Sequence, residues 1–97
     1  MNNIIHLAIQ IVPLKTSAHP YTAIDKAIEV IGQSGLRYQV GPMETVIEGA
    51  YDEVWAVAKK AQEACLDYGA DELVVTIKLH IKKNADVSWE EKMEKYT

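Results

Sequence analysis

Apolar residues alternate with polar or small ones over residues 4–12 (IIHLAIQIV), which predicts a β-strand closed by Pro13. Ile5, Leu7, Ile9 and Ile11 take one face, while His6, Ala8 and Gln10 take the other. One greasy face and one mixed face suit a sheet covered on one side. A polar stretch, residues 14–19, leads to Pro20, placed where a first helical residue needs no N–H. From there to Ser34 the pattern is helical: Ile24, Ala27, Ile28 and Ile31 share a face, and Gly35 offers a left-handed stop. Residues 36–40 (LRYQV) and 43–48 (METVIE) read as strands around a Gly41-Pro42 turn, a hairpin. A second helix starts at Asp52 and Glu53, whose charges suit its positive end. Its stripe is Val54, Val57, Ala58, Ala61, Cys65 and Tyr68, and Gly69 ends it. In residues 73–81 (LVVTIKLHI), Leu73, Val75, Ile77, Leu79 and Ile81 oppose Val74, Thr76, Lys78 and His80. Ser88-Trp89-Glu90-Glu91 has the spacing of a capping box and opens a short charged helix.

This order predicts an α+β, ferredoxin-like βαββαβ sandwich. Its four-stranded antiparallel sheet carries two helices on one face, with a short C-terminal helix added, and residues 1–97 form one domain. The first and last strands become antiparallel neighbours, with Gln10 near Thr76 and His6 near His80. If their greasy faces meet the helices, the face with Ala8, Val12 and Val74 is left bare. Such a face is too apolar to stay fully solvated, so a second copy is expected to cover it, giving a dimer or a tetramer built from dimers.

Composition narrows the partners. The 97 residues are 48% apolar and 25% charged, which excludes a disordered, collagen-like or disulfide-built chain. A net charge of −4 disfavours nucleic acid and suits a small cationic ligand. The lone cysteine, Cys65, cannot form an internal disulfide; on an apolar stripe it reads as a small hydrophobe. No apolar run approaches the ~20 residues of a membrane helix. Met1-Asn2-Asn3-Ile4 lacks the basic start of a signal peptide, so a cytoplasmic location is expected. There is no glycine-rich phosphate loop, no CxxC and no paired-histidine helix motif. His6 and His80 lack a convincing third ligand, so neither metal nor catalysis is expected. The segment holding Glu44, Thr45 and Glu48 is richer. Glu48 is either a solvated strand end or a ligand contact, and Trp55 either packs at a helix edge or lines a cleft.

The segments IQIVPL, SGLRYQVGPMETVIEG and GADELVVTIKLHI resemble the small stand-alone thiamine-binding protein family, over residues 4–83. The most specific piece is Gly41-Pro42-Met43-Glu44-Thr45 followed by Glu48-Gly49. Gln10 stands where that family commonly has serine, and Lys15 and Glu44 where it often has glycine. The resemblance implies binding of thiamine or its hydroxymethylpyrimidine part, without catalysis or a cofactor, by dimers or tetramers. Toward such a cationic, aminopyrimidine ligand, Glu48 would accept from the exocyclic amine or a protonated ring nitrogen. Gln10, Thr45 and Thr76 would give neutral donors and acceptors, and Tyr38, Met43 or Trp55 an apolar wall. Alternation turns Thr45 away from Glu44 and Glu48, so a site using both sits at the strand end or bridges subunits. Fold alone also allows a regulatory or interaction module that responds to another small effector.

Overall fold

The computed structural model describes residues 3–17 and 19–96. Met1 and Asn2, which belong to the stretch read above for a signal peptide, lie outside them, as do Ala18 of the first connection and Thr97. The elements are β1 (Ile4–Thr16), α1 (Pro20–Gly32), β2 (Arg37–Val40), β3 (Thr45–Ala50), α2 (Tyr51–Asp67), β4 (Ala70–His80) and α3 (Trp89–Met93). The strands form one antiparallel sheet in the order β2-β3-β1-β4, the ferredoxin-like arrangement. The register sets Gln10 opposite Thr76 and His6 opposite His80, as the alternation predicts.

One face of the sheet forms the core. Ile5, Leu7, Ile9 and Ile47 pack against Ala23, Ala27 and Ile31 of α1 and Val54, Ala58, Ala61 and Cys65 of α2. The helices meet the sheet largely through alanines, whose small side chains let the layers close tightly. Cys65 is fully buried and its Sγ donates to the Ala23 carbonyl at 3.2 Å. Burial pushes its thiol pKa up, so it packs as the small hydrophobe the stripe predicts.

Element ends differ from the sequence pattern for local reasons. β1 continues past Pro13 to Thr16, with register shifts between Pro13 and Thr16. Proline is tolerated there because this stretch pairs only with β4 and is already irregular. β4 correspondingly starts at Ala70, which pairs with Thr16, rather than at Leu73. α1 stops at Gly32, and Ser34 Oγ then donates to the Ile31 carbonyl at 2.6 Å and accepts from the Leu36 N–H at 3.1 Å. Gly35 follows with φ at +82°, the left-handed conformation expected of it. β3 begins at Thr45, not Met43, because the Gly41 N–H donates to the Glu44 carbonyl at 2.9 Å and closes a four-residue turn. Just past the end of α2, Tyr68 leaves the predicted stripe, lying exposed with the Lys26 ammonium over its ring, and Ala64 is buried instead. At the end of β4, Leu79 and Ile81 stay partly exposed although they share the greasy face.

The largest correction concerns the second sheet face, which is bare only in part. After β4 the chain returns to the start of β1: the Val87 N–H donates to the Ile4 carbonyl at 2.9 Å, and Asp86 accepts from the Ile4 N–H at 2.8 Å. Val87 is buried, and α3 then lies over the β2-β3-β1 part of this face. Ser88 caps α3 by accepting from the Glu91 N–H at 3.1 Å, while the Glu91 carboxylate lies 3.6 Å from Lys82. The capping box shows where a helix starts but carries no information about where it docks.

Candidate functional site: two clefts sharing a hairpin turn

The turn at residues 41–44 is a wall common to two clefts on opposite sides of the sheet. The β1–β3 pairing stops where Thr45, the first residue of β3, faces Ile9, so β1 has no strand partner on that side from Gln10 onward. A strand edge without a partner presents main-chain N–H and C=O groups. Beside this edge, beneath α1, lies a cleft of about 300 Å³. Ile11, Ile24 and Ile28 give it apolar walls, Met43 closes the turn side, and the nearly buried Thr45 and the more exposed Tyr21 add hydroxyls. Among the described residues Glu44, which borders the second cleft as well, is the one charged residue in its lining.

The second cleft, about 400 Å³, opens between α3 and the other sheet face. His6 and Val46 come from the strands, Met43 from the turn, and Trp89, Lys92 and Met93 from α3. Behind it runs a chain of polar contacts. Arg37 Nη1 lies 3.7 Å from one Glu48 oxygen, His6 Nε2 is 3.3 Å from the other, and Lys92 Nζ is 2.8 Å from His6 Nδ1. An ammonium can only donate, so Nδ1 is the acceptor and neutral His6 carries its proton on Nε2, donating it to Glu48. Burial lowers the His6 pKa and the Lys92 charge adds to this, while the bond to Glu48 acts the other way. Lys92 is likewise lowered by burial, against the opposing pull of Glu48. Arg37 also donates to Glu90, holding that carboxyl below its usual range, and lies over the Trp89 ring at 4.8 Å. Trp89 meets His6 edge-on, with centroids 5.7 Å apart.

Of the six candidate ligand residues, Gln10, Met43 and Thr45 come together around the α1 cleft, and Met43 borders both clefts. Tyr38, Glu48 and Thr76 line neither. Tyr38 runs on the helix side of β2, its hydroxyl close against Gly32. Glu48 is neither a solvated strand end nor open to a cleft, because His6 and Arg37 hold its carboxylate. Thr76 is exposed beside Gln10. Trp55 packs against Tyr51 with its Nε1 buried and unpartnered. Sequence reasoning missed Ile24 and Ile28 as cleft walls, although both stood in the α1 stripe; they are the part of that stripe beyond the reach of the core. It also missed Trp89 and Lys92, for which no spacing signal exists. Among the described residues, no cluster of three or more His, Cys, Asp or Glu could hold a metal ion, and no helix is long and apolar enough to cross a membrane.

Fold and clefts together define a class: a ferredoxin-like α+β domain with room for a small molecule at either side of its central hairpin. A family model described as thiamine-binding protein matches residues 7–97, and the chain belongs to that family. A UPF0045 protein of Clostridium perfringens is 37% identical over 91 residues, covering 94% of this chain and 95% of its own. The solved structure of a Bacillus cereus domain of unknown function superposes with a TM-score of 0.95 at 42% identity, covering 100% of this chain and 93% of the other. A Thermotoga maritima protein, assigned a proposed role in thiamine biosynthesis or salvage, superposes with a TM-score of 0.85 at 29% identity, over 97% of this chain and 99% of its own.

Proposed function

We propose that this protein binds thiamine or its hydroxymethylpyrimidine moiety without chemistry on it, as a carrier, buffer or sensor, and that the α1 cleft is the seat. The carrying observation is the contrast in charge between the clefts. The α1 cleft has apolar walls, the Thr45 hydroxyl, an open main-chain edge and, among the described residues, no cation in its lining. The α3 cleft holds the Lys92 ammonium, which would repel a thiazolium. A flat aminopyrimidine between Ile24, Ile28 and Met43 would leave its ring nitrogens and amine for Thr45 and the β1 edge beside Gln10. Family membership supports the ligand class.

Isothermal titration with thiamine and with hydroxymethylpyrimidine tests the reading. Ile24→Trp fills the cleft without touching the buried core cluster and should abolish binding. Thr45→Val should weaken it by about two- to tenfold, the worth of one neutral hydrogen bond. Full affinity in Ile24→Trp would exclude this cleft.

We also propose that a second copy covers the part of the open face that α3 leaves free, around Val12 and Val74, which are 40% and 49% exposed. A lysine at position 74 would set like charges near the symmetry axis. Light scattering should show an oligomer that Val74→Lys dissociates; a stable wild-type monomer at micromolar concentration would remove the idea.

A further inference from the structure

We infer that the α3 cleft is a second binding site, for a small aromatic anion: a flat ring bearing a carboxylate or phosphate group. This is independent of what the α1 cleft holds. The pairing of the charged groups around the cleft supports it. Glu44, on the rim, is held by Lys78 at 2.9 Å, and Glu48, behind the floor, is held by His6 and by Arg37, which Glu90 shares. Lys92 has no direct ion pair of its own. Among the described residues no carboxylate lies within ion-pair distance of its ammonium, whose one hydrogen bond goes to a neutral imidazole. Two of its three donors therefore remain for a ligand.

The ammonium is also held in place. His6 is nearly buried and its ring is fixed by Glu48 on one nitrogen and by the edge of Trp89. Nδ1 thus offers Lys92 one rigid acceptor, which limits the rotamer freedom that a surface lysine otherwise loses on binding. Met43, Val46, Trp89 and Met93 line the cleft beside it with thioether, aliphatic and indole surface, and Met43 is 72% exposed. Thioethers adapt to flat rings and attract their edges. A fixed cation facing such a wall matches a ring with an anionic group at one end.

Calorimetric titration with 2-naphthoate and phenyl phosphate, and with 2-naphthamide as the uncharged counterpart, tests this. At least one anion should bind, and 2-naphthamide should bind at least about tenfold more weakly than 2-naphthoate. Lys92→Met should lose anion binding by about ten- to a hundredfold, Lys92→Arg should keep most of it, and Thr45→Val should leave it unchanged. The arginine variant separates a missing charge from a displaced α3. Neither anion binding at millimolar concentration, equal affinity for naphthoate and naphthamide, or full affinity in Lys92→Met would each overturn the assignment. Retained anion binding in Ile24→Trp would show that failure of the thiamine reading leaves this one standing.

Discussion

Leu7 faces Ile47 across β1 and β3, and one residue back His6 faces Glu48. The two pairs share the same backbone ladder and point to opposite sides of the sheet. Leu7 and Ile47 are fully buried between the sheet and two helices, where they rely on close packing alone. His6 and Glu48 are also well covered, at 6% and 16% side-chain exposure, yet by a single short helix and through a line of charges. Non-directional packing tolerates adjustment, whereas the polar line works only if each member keeps its partner. The difference explains why the face under α1 and α2 carries the stability and the other face holds charged groups in fixed positions.

The widest gap between the faces should appear in Leu7→Ala. Deleting a fully buried leucine should cost about 2–5 kcal/mol, lowering the melting temperature by on the order of 10 °C or more. Thermal and urea unfolding followed by circular dichroism measures it, and a loss below about 1 kcal/mol would mean the core is less tightly packed than its geometry indicates. A smaller effect is expected on the polar face. Glu48→Gln takes the charged acceptor from His6 and Arg37 and should cost about 1–3 kcal/mol in the same unfolding experiment. If Glu48 serves His6 rather than a ligand, thiamine affinity stays within about twofold of wild type; a drop of about tenfold or more would return Glu48 to the ligand site. The smallest effect is the pH response of His6. Burial holds its folded-state pKa below the ordinary value of about 6.5, so the unfolded chain takes up the proton first as pH falls. Stability is then complete above about 6.5, declines as pH falls toward the folded-state pKa, and levels off below it. Urea midpoints taken from about pH 8 to about pH 5 should show this shallow step in wild type and lack it in His6→Gln.

The covered face was legible in the sequence because its signal is periodic. Ile5, Leu7 and Ile9 alternate, Ala27 and Ile31 recur at one helical turn, and both patterns point to one core. The register of Gln10 with Thr76 followed from topology once the strand order was read. The α1 cleft was half legible: Gln10, Met43 and Thr45 stood out as chemistry, but the cleft exists because β3 starts at Thr45 instead of Met43. That shift comes from one turn hydrogen bond, between Gly41 and Glu44, which hydrophobic patterning does not encode. The α3 cleft was illegible for a related reason. Trp89 and Lys92 reach His6 from the far end of the chain, and only the path of the segment after β4 decides that meeting.

The order β2-β3-β1-β4 also sets the timing of folding. β1 leaves the ribosome first but sits in the interior of the sheet, between β3 and β4, so it waits for almost the whole chain. The contact between Ile4 and Asp86 spans 82 positions, and such long loop closures must form before they are rewarded by packing. Until then the residues from Ile4 to Val12 form a β-branched, uncharged segment with both edges open, the kind of sequence that pairs with other chains. Folding therefore belongs to the slower, non-local class. During synthesis, the stretch most exposed to misassembly is one whose first half ends up paired on both edges.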